Sequence, residues 1–239
     1  MKKHAPNFLL TFFVILVNVS CIGIPGRTSL SGEIVTDQRD VPHFDAIIVT
    51  SGIDLILNQG ATQKVIVKAD QDLQNDVKTE VEDGELKISC ARTFFHVSNI
   101  TVEVTITDLK HLKGSAGSDI KSTGILNLGD LTVEISSGSD LTLEIEAKFL
   151  DMSASSGSEA RLKGKADDFS IKASSGSDVY SNDFEAENVT VTTSSGSDVR
   201  VNAHESIKVN ASGGSDVYIT GNPEKRNVST SGGSDVYFR

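Results

Sequence analysis

The chain has 239 residues, a formal net charge of −11, no Trp, four Pro and only two Cys. A surface this acidic argues against nucleic acid and against anionic membrane patches as partners. With Cys21 and Cys90 as the cysteines, no intramolecular disulfide framework exists once Cys21 is modified. β-Branched residues are frequent and helical periodicity is nearly missing, which marks an all-β protein.

The first segment is built for export. Lys2 and Lys3 form a short positive region, and Phe8 to Val17 is an apolar run interrupted only by Thr11. The run is too short to span a bilayer and has the shape of a secretory h-region. Val19-Ser20-Cys21 follows, a small residue before Cys, which resembles the box of bacterial lipoproteins in which the Cys is lipidated and becomes the mature N-terminus. Asn18 stands where that box usually has Leu or Val. The expectation is a lipoprotein-type signal over residues 1–20, lipidation at Cys21 and membrane attachment through that anchor. The alternative is an ordinary signal peptide cut near Ser20. Loss of residues 1–20 removes two lysines and moves the formal charge from −11 to −13.

Residues 21–40 carry Gly23, Pro25, Gly26, Ser29, Ser31 and Gly32 without sustained alternation, the composition of a flexible tether. Residues 41–110 are expected to form a less regular β part, with strands over Ala46 to Thr50, Ile53 to Leu57, Lys64 to Ala69, Val77 to Glu82, Glu85 to Cys90 and Ile100 to Thr107. Asp70 to Asp76 suits a short helical turn. Asp83-Gly84 between two alternating runs is a hairpin signal, so antiparallel pairing is expected here. In the second run Leu86, Ile88 and Cys90 share a face, which makes Cys90 a small core residue rather than a nucleophile.

Residues 111–239 repeat. Ser-x-Gly-Ser-Asp, with Glu for Asp once, occurs seven times, and its acids are Asp119, Asp140, Glu159, Asp178, Asp198, Asp216 and Asp235, spaced by 18 to 21 residues. Thr50-Ser51-Gly52-Ile53-Asp54 is a degenerate early copy. A period near 20 with a turn signal in each unit is the mark of a solenoid. Five residues before the shared Gly stand Leu112, Val133, Met152, Ile171, Val191, Val209 and Val228; three after it stand Ile120, Leu141, Ala160, Val179, Val199, Val217 and Val236. Each unit is thus expected to be two short strands with period-2 alternation around a Ser/Gly corner. Stacked in parallel about 4.8 Å apart, the units build a β-solenoid, a parallel β-helix with coils of about 19 residues. Right-handed winding is favoured by the usual hand of parallel crossovers. Residues 41–239 then form one continuous domain.

The acids point outward in this register, and neighbouring carboxylates at that spacing repel by about 1 kcal/mol in water. The expectation is that each accepts hydrogen bonds from Ser hydroxyls and corner N–H groups. The competing reading gives the seven acids to Ca²⁺, a hard cation that takes carboxylate, hydroxyl and carbonyl oxygens. Two residues further on lies a second outward column: Lys121, Thr142, Arg161, Tyr180, Arg200, Tyr218 and Tyr237. It holds all three Tyr of the chain. Lys121, Arg161, Tyr180, Arg200, Tyr218 and Tyr237 are therefore the candidate stripe for contact with a glycan or a protein.

Catalytic signals are weak. His4, His43, His96, His111 and His204 do not pair at metal spacing. No Gly-x-Ser-x-Gly elbow occurs, and Asp167, Asp168, Glu80 and Glu82 suit solvated surface. No catalytic residue, cofactor or resident metal is assigned.

Val41-Pro-His-Phe-Asp-Ala-Ile-Ile-Val-Thr-Ser-Gly-Ile-Asp-Leu, Asp83-Gly84-Glu85-Leu86-Lys87-Ile88 and the repeated Ser-x-Gly-Ser-Asp-Val resemble the head GIN domain family over about residues 41 to 238. That family is described as auto-transporter adhesins and is common among exported lipoproteins of Gram-negative bacteria. The resemblance implies a β-helical fold and a cell-envelope location, and brings no catalytic residues. The leading expectation is a non-catalytic, lipid-anchored envelope protein, most simply at the outer membrane, facing either way, with the solenoid as a binding or adhesion module. A second is an assembly element that self-associates into a homo-oligomer through an open coil at Val236 to Arg239. A third is a carbohydrate-active β-helix enzyme.

Overall fold

The computed structural model describes residues 30–91 and 100–239; the signal segment, Cys21, His4 and His96 lie outside them. Seventeen strands join one continuous hydrogen-bonded sheet that coils on itself, with no α-helix among the described residues.

The early strands fall near their expected places: β2 at Ala46–Val49, β3 at Asp54–Gln59, β4 at Lys64–Asp70, β5 at Val77–Glu82, β6 at Glu85–Cys90 and β7 at Thr101–Ile106. A 3-10 turn at Gln71–Leu73 occupies the expected helical stretch and buries Leu73. β5 and β6 pair antiparallel across Asp83 and Gly84, both at positive φ (51° and 80°), the conformation a two-residue hairpin needs. Leu86 and Ile88 are core residues, while Cys90, a free thiol, is only half-buried at the sheet's margin.

One expected tether segment is a strand. Ile34–Arg39 forms β1, antiparallel to β4 along its whole length. The cause is Asp70. Its buried carboxylate accepts from Gly32 N–H (2.6 Å), Ser31 Oγ (2.8 Å) and Asp72 N–H (2.9 Å), which pins the incoming chain to the start of the 3-10 turn. Gln74 Nε2 donates to Val35 C=O at 2.9 Å and Arg39 Nη2 to Gln74 C=O at 2.7 Å, so both ends of β1 are held.

The order of stacking differs from the order of the chain. β2 and β3 flank the corner at Ser51-Gly52 and make the second coil. β6 and β7 lie in parallel on one side of them, and β8 (His111–Gly114) and β9 (Asp119–Asn127) lie in parallel on the other. The detour through β4 and β5 makes this order reachable. β4 closes antiparallel on β7 and β5 on β6, so the antiparallel strands cover the first coil.

From β8 onward every coil stacks in parallel on the one before: β10 (Asp130–Ile135), β11 (Asp140–Ala154), β12 (Glu159–Ala173), β13 (Asp178–Thr193), β14 (Asp198–Ala211), β15 (Asp216–Thr220), β16 (Lys225–Thr230) and β17 (Asp235–Phe238). The expected pair of short strands per unit is instead one strand of 14 to 16 residues in β11 to β14, running from one corner to the next. The ladder continues through the bends, and irregularities of register take up differences between neighbouring coils. The 20-residue spacing from Asp178 to Asp198 meets the 18-residue spacing to Asp216 through register shifts at Ser181/Glu185 and Ala186/Asn188.

The interior is two long apolar ladders. Leu86, Ile47, Leu112, Val133, Met152, Ile171, Val191, Val209 and Val228 stack in register, as do Val102, Leu55, Ile120, Leu141, Ala160, Val179, Val199, Val217 and Val236. All but the last rung of each are buried. Each buried Val, Leu, Ile or Met among these rungs contributes about 1.5–3 kcal/mol of apolar burial. Phe169 and Phe184 fill the wider middle edge-to-face, with centroids 5.0 Å apart.

Gly164, within β12, has φ +114°, and a Cβ there would lie 2.0 Å from Ile145 C=O. Gly176, at a corner with φ +67°, has open space around it. Gly164→Ala is expected to lower stability by about 3 kcal/mol or more, because backbone must move. Gly176→Ala is expected to cost only about 1–2 kcal/mol of left-handed strain. Urea unfolding of the full chain followed by circular dichroism checks the ranking.

Candidate functional site

Each corner turns on two consecutive residues at positive φ. The x residue (Ala116, Ser137, Ser156, Ser175, Ser195, Gly213, Gly232) lies between 56° and 69°, and the following Gly between 67° and 77°. Ser51 and Gly52 repeat the pattern at 69° and 66°, so the degenerate early copy is a true corner. Two left-handed residues in succession strain any L-residue pair, and Gly at the second relieves about half of it.

The next residue is Ser, and it faces inward. Ser118, Ser139, Ser158, Ser177, Ser197, Ser215 and Ser234 are all buried. Their hydroxyls bond along the solenoid. Ser118 N–H donates to Ser139 Oγ (3.2 Å), Ser177 N–H to Ser197 Oγ (3.2 Å), Ser197 N–H to Ser215 Oγ (3.3 Å) and Ser215 N–H to Ser234 Oγ (3.0 Å). In return Ser118 Oγ donates to Ser115 C=O at 2.9 Å, and the single proton of Ser177 Oγ lies within reach of both Ser174 and Ala154 C=O, each at 2.9 Å. These serines satisfy the buried corner backbone. They do not bond the carboxylates as expected, because period-2 alternation sends Ser and the following acid to opposite faces.

The acids form a column of eight, since Asp54 joins Asp119, Asp140, Glu159, Asp178, Asp198, Asp216 and Asp235 in register. One corner N–H reaches them, Asp198 N–H to Asp178 Oδ1 at 3.3 Å. Their main partners come from the second column. Lys121 Nζ donates to Asp119 Oδ2 at 2.7 Å, and Arg161 pairs with Glu159. Tyr180, Tyr218 and Tyr237 reach back two residues to Asp178, Asp216 and Asp235, with O···O of 3.4–3.5 Å. The Lys121 pKa is raised, first by the hydrogen bond to Asp119 and further by the charges of Asp119, Asp54 and Asp140. Burial and the Asp216 and Asp198 charges raise the Tyr218 phenol; the Asp235 charge, then burial, raises Tyr237. Both phenols therefore stay protonated as donors.

The structure brings the second column into one stack. Arg161 lies over Tyr180 (5.1 Å to the centroid), Arg200 lies between Tyr180 (4.8 Å) and Tyr218 (4.9 Å), and Tyr218 stacks on Tyr237 at 5.0 Å and 14°. Arg239, absent from the expected stripe, also covers Tyr218 at 5.0 Å. The signal for it was its place two residues beyond Tyr237, in the chain's last repeat. Arg200 Nη1 is buried without a hydrogen-bond acceptor, held by the two rings around it. The faces of Tyr180 and Tyr218 on which a sugar ring would stack are thus occupied by neighbours, while Tyr237 is covered by Tyr218 on one face. What the stripe offers outward is ring edges, phenol oxygens, guanidinium edges and the adjacent carboxylates.

Elsewhere the chemistry is dispersed. His43 Nδ1 meets Gln63 Oε1 at 2.8 Å, while His111 and His204 lie beside Glu134 (3.8 Å) and Glu185 (3.7 Å). Glu80, Glu82, Asp167 and Asp168 are exposed. Among the described residues no three His, Cys, Asp or Glu side chains converge as a metal site; the corner supplies one acid per coil, with bases or phenols between. A shallow groove of about 230 Å³ between Asn188, Ser206, Lys208 and Arg226 is smaller than the roughly 300 Å³ at which small-molecule sites begin.

The family model described as "Putative auto-transporter adhesin, head GIN domain" matches residues 43–223. Among solved structures, a "putative adhesin" from Bacteroides fragilis is 16% identical with a TM-score of 0.82, covering 88% of this chain and 99% of its own. A "putative adhesin" from Parabacteroides merdae is 16% identical with a TM-score of 0.73, covering 88% of this chain and 98% of its own. A "putative lipid binding protein" from Parabacteroides distasonis is 19% identical with a TM-score of 0.67, again covering 88% and 98%. At these identities the likeness is one of fold. No curated protein gives a significant match.

Within the acidic column Asp54 has the raised pKa, through loss of hydration first and the Asp119 charge second, with Lys121 opposing. A carboxyl raised on folding adds stability that is complete below the unfolded carboxylate pKa and is lost as pH climbs through the folded value. Asp54→Asn is therefore expected to be more stable than the unchanged chain at neutral pH, with the gain vanishing near pH 3. Melting temperatures of both chains across that range check it; a gain that does not depend on pH contradicts the column's repulsion.

Proposed function

Because the chain belongs to the head GIN domain family of putative auto-transporter adhesins, we propose that it is a non-catalytic binding module of the cell envelope. Its anchor is a lipidated Cys21, and its contact face is the outward stripe of Lys121, Arg161, Tyr180, Arg200, Tyr218 and Tyr237. The observation that carries this reading is the continuous Arg–Tyr stack. Arg and Tyr dominate binding energy in interfaces, and they do so best when already held in place. Here the rings and guanidinium groups fix one another, so little side-chain freedom remains to be lost on binding.

The stack also narrows the partner. The covered faces of Tyr180 and Tyr218 offer no platform for a sugar, whereas exposed edges and alternating donors and acceptors suit the polar surface of another protein. The side-chain-filled interior and the dispersed histidines support a non-catalytic role. The apolar run Phe8 to Val17 followed by Ser20-Cys21 supports export and lipid attachment, and the adhesin-like family fits a place at the outer membrane.

Replacing Tyr180, Arg200 and Tyr218 by Ser, Ala and Ser in the full chain is expected to weaken attachment to immobilised protein ligands at least ~10-fold. Unchanged attachment across an array of proteins and polysaccharides would end the stripe as contact face. Cys21→Ser is expected to lose incorporation of a labelled fatty acid and to shift the protein from the membrane to the soluble fraction. Label retained by that variant contradicts the anchor.

A further inference from the structure

The described chain enters the solenoid through β1, and hydrogen bonds rather than burial hold that strand. None of its six residues is buried, and Ile34 is 58% exposed. Val35, Asp37 and Arg39 lie opposite the buried Ala69, Val67 and Val65 of β4, yet Val35 alone of the three is apolar, and it is half-buried. Beyond its ladder with β4, the strand is fastened by one short stretch, Asp70 to Gln74. Asp70 takes Ser31 Oγ and Gly32 N–H, and Ser31 N–H donates to Asp72 Oδ2 at 3.1 Å. Gln71 N–H donates to Glu33 C=O at 2.9 Å, and Gln74 holds Val35 and Arg39.

The surroundings of β1 are built to outlast its departure. β4 is paired on its other side with β7, so it stays in the sheet when β1 leaves. Lys64 and Lys68 then stand on the uncovered strand, and charge of this kind resists pairing with another chain. Past β1 the chain is fixed again at Phe44, which is fully buried and bonded to Gln63 through both its N–H and its C=O. Between Gly32 and Phe44, about ten residues come away without opening the solenoid, equal to ~30 Å of extended chain.

We propose that β1 is a releasable strap with Asp70 as its catch, opening while the solenoid stays folded and lengthening the link between Cys21 and the binding stripe. The inference rests on the lipidated Cys21 proposed above. Load between that anchor and a bound partner enters at Ser31 and Gly32, so the bonds to Asp70 and Asp72 meet it first. Segments with few apolar contacts and exposed hydrogen bonds open at a free energy below that of global unfolding. The released residues then take up extension that otherwise pulls on the contact face.

Hydrogen exchange of the full chain in mild detergent, read by mass spectrometry, tests the strap whether or not Cys21 carries lipid. Amides of β1 are expected to exchange at least ~100-fold faster than those of β12, yet slower than an unfolded chain. Asp70→Asn, whose amide nitrogen accepts no hydrogen bond, is expected to speed β1 at least ~10-fold and to leave β7 and β12 unchanged. Ser31→Ala loosens the catch from the strap's own side and is expected to speed β1 ~3-fold in the same pattern. Exchange of β1 in step with β12, or at the unfolded rate in the unchanged chain, overturns the proposal. So does Asp70→Asn speeding β7 together with β1, which makes Asp70 a support of the first coil, or a β1 indifferent to both variants. Fatty-acid labelling tests the anchor separately, so a failed anchor and a failed strap are told apart.

Discussion

Parallel stacking in register forces like to sit on like. Each coil sets its residues about 4.8 Å above their equivalents in the last, and the consequences depend on residue type. For Val, Ile and Leu the rule is favourable without further conditions, since a column of identical apolar groups is a core. For Ser it is favourable because a hydroxyl both donates and accepts, so a serine column can bond to the backbone of its neighbours. For carboxylates it is unfavourable, and the column of eight acids from Asp54 to Asp235 exists only because another column answers it.

That answer explains the composition of the stripe. Lys121 and Arg161 supply charge to Asp119 and Glu159, and the tyrosines supply phenol donors to Asp178, Asp216 and Asp235. The stripe must itself obey the stacking rule, and Arg on Arg would repeat the difficulty in the opposite sign. Interleaving Arg with Tyr avoids this, since a guanidinium between ring faces is stabilised by about 0.5–2 kcal/mol. The contact face proposed for binding is thus first a solution to a repulsion problem. Its rigidity follows from that solution, and a rigid array of Arg and Tyr is what binding then uses.

Much of this was legible in the chain. The ladders from Leu112 to Val228 and from Ile120 to Val236 follow from spacing alone, because a period of about 19 superposes them. What escaped was whatever depends on partners far away in sequence. Ile34-Val35-Thr36 is β-branched enough for a strand, but it becomes one only through Asp70, which no local pattern connects to Ser31 and Gly32. The placing of β6 and β7 ahead of β2 and β3 in the stack has no local signature, because each strand alternates identically whichever neighbour it meets. The inward turn of the corner serines was available from alternation, yet the turn-forming habit of Ser beside Asp points the other way. The covering of the tyrosine faces needed the strand spacing applied to the second column as strictly as to the core.

A solenoid built by this rule has no internal reason to stop. Each coil presents to the next the same unpaired backbone and the same apolar rungs that it received, so termination must be imposed by a different structure. At the first coil it is imposed by reversing direction: β4 and β5 run antiparallel, and β1 closes over β4 with charges on its outer edge. At the coil of β16 and β17, Val228 and Phe238, in line with buried rungs of the coils before, are exposed. The first coil thus meets from within the chain the demand that each coil passes to the next, an antiparallel strand laid on a parallel stack.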